Sequence, residues 1–207
     1  MNRARTGLFG GSYDPIHIGH LFFAEAVRVE AGLDRVLFLP VGEPAHRTTH
    51  APADERRAMV QAALKGNDCF ALDVTALEQP GPAYTADTID LLRAKLPRDD
   101  FYFIAGADSL VRSPWRYLDR VAASLTRFYL VARNGLSFED VVPVLNQLPD
   151  ELAARFHPLA LPLIDISSTE IRARVAQGRP IRYLTPDPVV RHIVERGLYR
   201  SRAAADQ

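Results

Sequence analysis

The run Gly10-Gly11-Ser12-Tyr13-Asp14-Pro15-Ile16-His17-Ile18-Gly19-His20 puts two glycines, a hydroxyl and two imidazoles into one short loop. An apolar run leads into it and an amphipathic helical pattern follows at once, so it reads as a strand-to-helix turn. Glycine lets such a backbone turn sharply and approach a ligand without interference from a Cβ, and the helix start behind it offers free N–H groups and a positive dipole end. Those are the requirements of a phosphate site. His17 and His20 are three residues apart, so on an incipient helical turn both rings project from one side toward that phosphate. Each can donate a hydrogen bond to an oxygen that gains negative charge as a leaving group departs, which is electrostatic catalysis without a covalent intermediate. Two other readings compete. A histidine pair at this spacing suits a metal, but no Cys cluster or third ligand accompanies it, and no metal site is assigned. A purely structural turn leaves both glycines and both imidazoles unexplained as a set.

A second segment far downstream, Ile166-Ser167-Ser168-Thr169-Glu170-Ile171-Arg172, also opens a helix. It combines small hydroxyls and N–H groups at the helix start with a guanidinium one turn in, a second anion site. Ser167 with Glu170 fits a capping box as well, which explains the Ser and the Glu but not Arg172.

Bringing these loops together falls to an alternation of short β-branched or aromatic runs with longer helical patterns, the order of βα units in a parallel sheet. Strands are expected at 6–10, 35–40, 69–74, 101–106, 126–131 and 161–166. Helices are expected at 21–30, at 54–64 behind a capping Asp54, and at 85–95 and 137–148 behind a Thr and a Ser cap. Two more, at 168–177 and 188–196, close at Gly178 and Gly197, and this C-terminal helical part, about 168–200, packs on the rest. The loops at 42–54 and 78–84 are rich in Pro, Gly and Thr and are expected on the surface. In an open parallel sheet ligands bind outside the carboxyl ends of the strands, where both anion loops fall.

With 207 residues, 47% of them hydrophobic, the chain suits a single α/β domain spanning 1–207. Its 25 basic and 25 acidic side chains cancel, so no global field is available to hold a long nucleic acid. The one cysteine, Cys69, cannot form an internal disulfide, and no segment reads as a signal peptide or membrane span, so the cytoplasm is expected.

The first loop resembles the G-G-x-F-D-P-x-H-x-G-H signature of the nicotinate-nucleotide adenylyltransferase family, and 166–172 resembles its I-S-S-T-x-I-R motif. The His-Ile-Gly-His tetrapeptide also resembles the wider nucleotidyltransferase superfamily, including class I aminoacyl-tRNA synthetases. A synthetase would need a longer chain and a Lys-Met-Ser-Lys-Ser-type loop. The resemblance implies a Rossmann-like, doubly wound, mostly parallel sheet with helices on both faces. It implies catalytic roles for His17, His20 and Arg172, and ATP contacts from Gly10, Gly11, Ser12, Tyr13, Gly106, Ser167, Ser168 and Thr169.

Four further segments carry the likeness along nearly the whole chain. Pro44-Ala45-His46-Arg47 resembles the family's Pro-Pro-His stretch, putting His46 toward the substrates, with Ala45 as a departure that loosens the loop. Tyr84-Thr85-Ala86-Asp87-Thr88 resembles S-Y-T-x-x-T at a helix start, where a hydroxyl and free N–H groups receive a pyridine carboxylate; simple capping by Thr85 is the other reading. Gly106-Ala107-Asp108-Ser109-Leu110 resembles G-x-D-S-L, with Asp108 accepting from ribose hydroxyls, capping the next helix, or both. Trp115, the only tryptophan, stands where the family stacks a ring on the pyridine, though a lone Trp is more often core. Tyr13 replaces the usual Phe, and Arg133-Asn134-Gly135 replaces Arg-Pro-Gly while keeping Arg133 at a strand end.

The implied reaction is attack by the 5′-phosphate of nicotinate mononucleotide on the α-phosphorus of ATP. No clustered carboxylates are evident for a metal held by protein, so Mg²⁺ is expected to arrive on the triphosphate. Nicotinamide mononucleotide and phosphopantetheine are the alternative acceptors, and a non-catalytic nucleotide-binding regulator is the alternative class.

Overall fold

The computed structural model describes residues 3–44, 48–113, 115–132, 135–162 and 164–201. The first half contains β1 (Ala4–Gly11), α1 (Ile18–Glu30), β2 (Arg35–Pro40), β3 (Glu43–Pro44), α2 (Ala53–Leu64), β4 (Phe70–Leu72), β5 (Pro82–Ala83) and α3 (Thr85–Lys95). The second half contains β6 (Asp99–Gly106), α4 (Ala107–Arg112), α5 (Leu118–Ala123), β7 (Arg127–Val131), α6 (Val142–Leu145), α7 (Asp150–Ala153), β8 (Phe156–Leu159), α8 (Ser168–Ala176) and α9 (Asp187–Glu195).

Six strands form one wholly parallel sheet in the order β4-β2-β1-β6-β7-β8. From β1 the chain winds outward to β2 and β4 on one side, then returns to lay β6, β7 and β8 on the other. The order therefore reverses between β1 and β6, and the crevice above their carboxyl ends is the natural ligand position of such a sheet.

Side chains alternate across the sheet with the period of two that a pleated strand imposes. Along β6, Tyr102 and Ile104 join one core with Phe23 and Val27 of α1, Met59 of α2, Ile171 of α8 and Ile193 of α9. Phe101, Phe103 and Ala105 join the other core with Ile89 of α3, Leu110 of α4 and Val121 of α5. Both faces are thus covered by helices, which makes the sheet doubly wound. No helix among the described residues is long and apolar enough to cross a membrane.

Several elements depart from the sequence expectation. The edge strand is β8, not 161–166: Phe156 is 4% exposed and stacks on Phe128 at 4.7 Å, and it is residues 156–159 that pair with β7. The helix expected at 137–148 breaks into a 3₁₀ turn (Glu139–Val141) and the short α6, because Pro143 fits only the first turn of a helix. The Ser137 N–H and hydroxyl both donate to Asp140 Oδ2, at 2.7 and 3.0 Å. Asp54 does not cap α2; Pro52 stands at the cap and Asp54 lies in the first turn, where its charge suits the dipole. The loops at 42–54 and 78–84 are partly inside, pairing as β3 with β5 and burying Ala51 to 2% exposure. The C-terminal glycine stops hold: Gly178 and Gly197 take left-handed φ of 67° and 61° just past α8 and α9.

Candidate active site

β1 delivers its last residues to the crevice, and the loop behind it is fixed by its own aromatic ring. Tyr13 adopts φ 49°, is 2% exposed, and folds under the strand end, where its hydroxyl donates to the Phe9 carbonyl at 2.6 Å. A Cβ at Gly11 would stand 3.0 Å from that ring, so the glycine admits the Tyr13 side chain as well as a ligand. Burial pushes the Tyr13 phenol well above its ordinary pKa, keeping it a donor.

α1 begins at Ile18 with His17 as its cap residue. The His17 backbone N–H donates to His20 Nδ1 at 3.2 Å, which leaves Nε2 as the protonated nitrogen of a neutral His20. The two imidazoles lie with centroids 3.7 Å apart, and Tyr13 meets His20 edge-on at 5.1 Å. The pair is therefore brought together, but unequally placed. His20 lines the cleft, whereas His17 is 1% exposed and is not among the lining residues. Gly19 makes room for it, since a Cβ there would meet the His17 ring at 3.1 Å.

The loop is cross-braced to three distant segments. Asp14, 5% exposed, accepts from the N–H groups of His50 at 2.7 Å and Ala51 at 3.1 Å and from the Tyr199 hydroxyl at 2.8 Å. Arg56, fully buried, donates to the carbonyls of Ser12, Val41, Gly42 and Ala51 at 2.6–3.2 Å. Burial lowers the Arg56 pKa, and the Asp14 charge opposes that shift; burial first, then Asp14, raises that of Tyr199. From α8, Arg172 Nη1 donates to the Asp14 carbonyl at 2.7 Å, and Ser168 Oγ donates to that of Pro15 at 2.8 Å. From the segment before α9, Thr185 Oγ1 donates to the Ile16 carbonyl at 2.7 Å. Ser167 caps α8 by accepting from the Glu170 N–H at 3.1 Å, so the capping reading holds there alongside the cleft position.

Opposite this end, the cleft is walled by α3, α4 and the segment that follows. Its volume is about 560 Å³. Tyr84, not Thr85, stands at the cap of α3, and Gly106, not Asp108, at the cap of α4. Neither expected capping role is filled, and Thr85 and Asp108 line the cleft from the first turns. Trp115 is both wall and core. It meets Phe103 and Phe128 edge-on at 5.8 and 5.7 Å, and its indole N–H donates to the Ser109 carbonyl at 2.9 Å. Arg116, beside it, lines the cleft and donates to the Tyr84 hydroxyl at 3.2 Å.

The cleft thus gathers Gly10, Gly11, Ser12, Tyr13, His20 and Gly106 with Ser167, Ser168, Thr169 and Arg172. The same cavity reaches Tyr84, Thr85, Asp108 and Trp115. His46 and Arg133 lie outside the described residues. Sequence reasoning missed Asp14, Arg56 and Arg116. Arg56 left a trace, because with Met59 and Val60 it completes an i, i+3, i+4 set on the apolar side of α2. Among the described residues no group of three or more His, Cys, Asp or Glu side chains is arranged to hold a metal.

The loop after β1 and the start of α8 line one cleft at the sheet's reversal, and the sequence model of the cytidylyltransferase-like family, matching residues 8–174, places the chain among the nucleotidyltransferases. The chain is 44% identical to the probable nicotinate-nucleotide adenylyltransferase of Roseiflexus sp. (strain RS-1), over 97% of this chain and 100% of that protein. It is 41% identical to the protein of the same name from Thermomicrobium roseum, over 96% and 92%. The chain belongs to the nicotinate-nucleotide adenylyltransferase family. In fold it matches Plasmodium falciparum nicotinic acid mononucleotide adenylyltransferase complexed with NaAD, with a TM-score of 0.74 over 95% of this chain and 97% of that one at 16% identity.

Proposed function

We infer that this chain transfers the adenylyl group of ATP to nicotinate mononucleotide, giving nicotinate adenine dinucleotide (deamido-NAD) and pyrophosphate, a step of NAD biosynthesis. The observation that carries this reading is one continuous cleft with an imidazole, a guanidinium and hydroxyls at one end and an aromatic wall with Asp108 at the other. Two anionic nucleotides fit such a division. Relatives named for this activity match the chain almost from end to end.

ATP enters as its magnesium complex, the ion carried on the triphosphate. A 5′-phosphate oxygen of the mononucleotide attacks the α-phosphorus in line. As the new P–O bond forms, the bond from the α-phosphorus to the bridging oxygen breaks, and pyrophosphate leaves with that electron pair. The nucleophile is already anionic at neutral pH, so no general base is needed, and the protein's task is to position two anions and offset their repulsion. His20 does this through its Nε2–H, which donates to an oxygen gaining charge. His17 acts through His20, fixing its tautomer through the backbone N–H and packing a tilted ring against it. Arg172 has two of its five N–H groups engaged by Asp14 and Thr169, and the rest, with Ser168, Thr169 and the α8 N–H groups, hold the β- and γ-phosphates.

Gly10, Gly11, Ser12, Tyr13 and Gly106 frame the adenylyl group. Asp108 takes the ribose hydroxyls, Trp115 the pyridine face and the α3 start its carboxylate, with His46 and Arg133 assigned to the mononucleotide by resemblance alone. We place the reaction in the cytoplasm, where the free Cys69 stays reduced. Purified protein given ATP, Mg²⁺ and a panel of acceptors should release pyrophosphate fastest with nicotinate mononucleotide. Release with phosphopantetheine alone would reassign the acceptor, and no release with any acceptor would leave a nucleotide-binding protein.

A further inference from the structure

Nicotinate and nicotinamide mononucleotides share a ring, a ribose and a phosphate, and differ by one full negative charge on the ring substituent. A side chain that tells them apart must therefore act at the pyridine end and must be able to read charge. Arg116 meets both conditions. It lies next to Trp115 on the wall of the cleft that also presents Tyr84 and Thr85. Its side chain is held there by a hydrogen bond to the Tyr84 hydroxyl at 3.2 Å and by the Tyr84 ring, whose centroid is 5.4 Å from the guanidinium carbon.

The charge of Arg116 is also available. Among the described residues it forms no ion pair, while the two acids of α3, Asp87 and Asp90, are both taken by Arg120 from α5. A guanidinium has donors only, in a fork that matches the two oxygens of a carboxylate, and it faces an amide's NH₂ with a mismatch.

We propose that Arg116 is a specificity-determining residue, its guanidinium binding the pyridine carboxylate of the acceptor and so favouring the acid over the amide. The proposal rests on the adenylyl-transfer reading above and adds to it a residue that the family motifs do not contain. The carboxylate is remote from the reacting phosphorus and carries the same charge in ground and transition states. Arg116 therefore acts on binding, not on the chemical step. Because the side chain is exposed, the effect is moderate, about tenfold in affinity for the acid.

Trp115, the only tryptophan, gives a binding readout independent of turnover, through quenching of its fluorescence by each mononucleotide. R116Q should weaken nicotinate mononucleotide about tenfold and change nicotinamide mononucleotide less than twofold, with R116K in between. In steady state the loss should appear in KM for the acid, with kcat within about twofold. Arg116 is on the surface, so R116Q should melt with the wild type, and equal Tm values confirm an intact fold. Equal losses for both acceptors would put the guanidinium on the shared 5′-phosphate and overturn the proposal. No loss for either would overturn it too. Wild-type pyrophosphate release with nicotinate mononucleotide tests the underlying reading separately, since that rate does not depend on the ratio in R116Q.

Discussion

At the β1 end of the cleft, Asp14, Arg56, Ser168, Arg172, Thr185 and Tyr199 tie one loop to α2, α8 and the C-terminal segment through buried and part-buried hydrogen bonds. At the α3 end, the wall rests on aromatic edges and on an exposed arginine leaning on a tyrosine. In the proposed reaction the first end must hold donors still while charge develops on phosphate oxygens, and preorganised dipoles serve that purpose because they need no reorganisation during the reaction. The second end has only to recognise a ring and its substituent, which surface side chains can do. Substitutions at the first end should therefore cost stability and turnover, and those at the second should change affinity and selectivity.

The largest effect is expected at Arg56. Arg56→Met leaves four carbonyls, bonded in buried or part-buried positions, without this donor and removes a buried positive charge that acts on Asp14, for a loss of about 3–5 kcal/mol. In a chain of this size that corresponds to a fall in Tm on the order of 10 °C by calorimetry. A variant that melted with the wild type would show the bracing to be redundant and dissolve the contrast between the two ends. Next comes His20→Ala, which should lower kcat by about a hundredfold with a much smaller change in ATP affinity, because the lost N–H acts mainly on developing charge. Equal turnover in the two proteins would remove His20 from the chemistry.

How much of this is legible in the sequence depends on how local each signal is. The continuous run Arg35–Pro40 and the segment Thr85–Lys95 have the bounds the sequence assigns them, since apolar periodicity and flanking breakers lie within a dozen residues. β8 is displaced from its expected place because two proline-bearing apolar stretches follow one another, and only pairing with β7 selects Phe156–Leu159. The phosphate loops are legible as motifs, with their residue types at fixed spacing. Tyr199 is not, because its partner lies 185 residues away, and Arg56 leaves only the helical-spacing trace on α2, its partners in the β1 loop and after β2 lying 14 to 44 residues away. Arg116 is overshadowed by its neighbour: Trp115 draws the functional reading, although both face the same cleft.

Trp115 sharpens the contrast because it belongs to both categories. Replacing it with Ala would confound two losses, that of the platform and that of the packing against Phe103 and Phe128. Trp115→Leu keeps an apolar filler and removes the stacking face. Use of both mononucleotides should then fall by about tenfold with their ratio nearly unchanged, since a ring face does not distinguish acid from amide. A change confined to the acid would move the selectivity from Arg116 to Trp115.

The smallest effect is expected from Tyr13→Phe, although the Tyr13 ring meets His20 edge-on. The phenol is buried and its pKa is raised, so at any ordinary pH it is a neutral donor to the Phe9 carbonyl and takes no part in proton transfer. The ring, not the hydroxyl, makes the edge-on contacts with His20 and Phe9 and the tilted one with Phe38, and Phe keeps all three. Both residues meet the same cost of a left-handed backbone at this position. What is lost is one neutral hydrogen bond, about 1 kcal/mol of stability, with the carbonyl free to keep any bond on its second lone pair. Chemical denaturation should therefore register the substitution while kcat stays within about twofold. If kcat instead fell as far as in His20→Ala, the hydroxyl would be setting the imidazole through the strand end. The bracing of the β1 end would then extend into the reacting groups themselves.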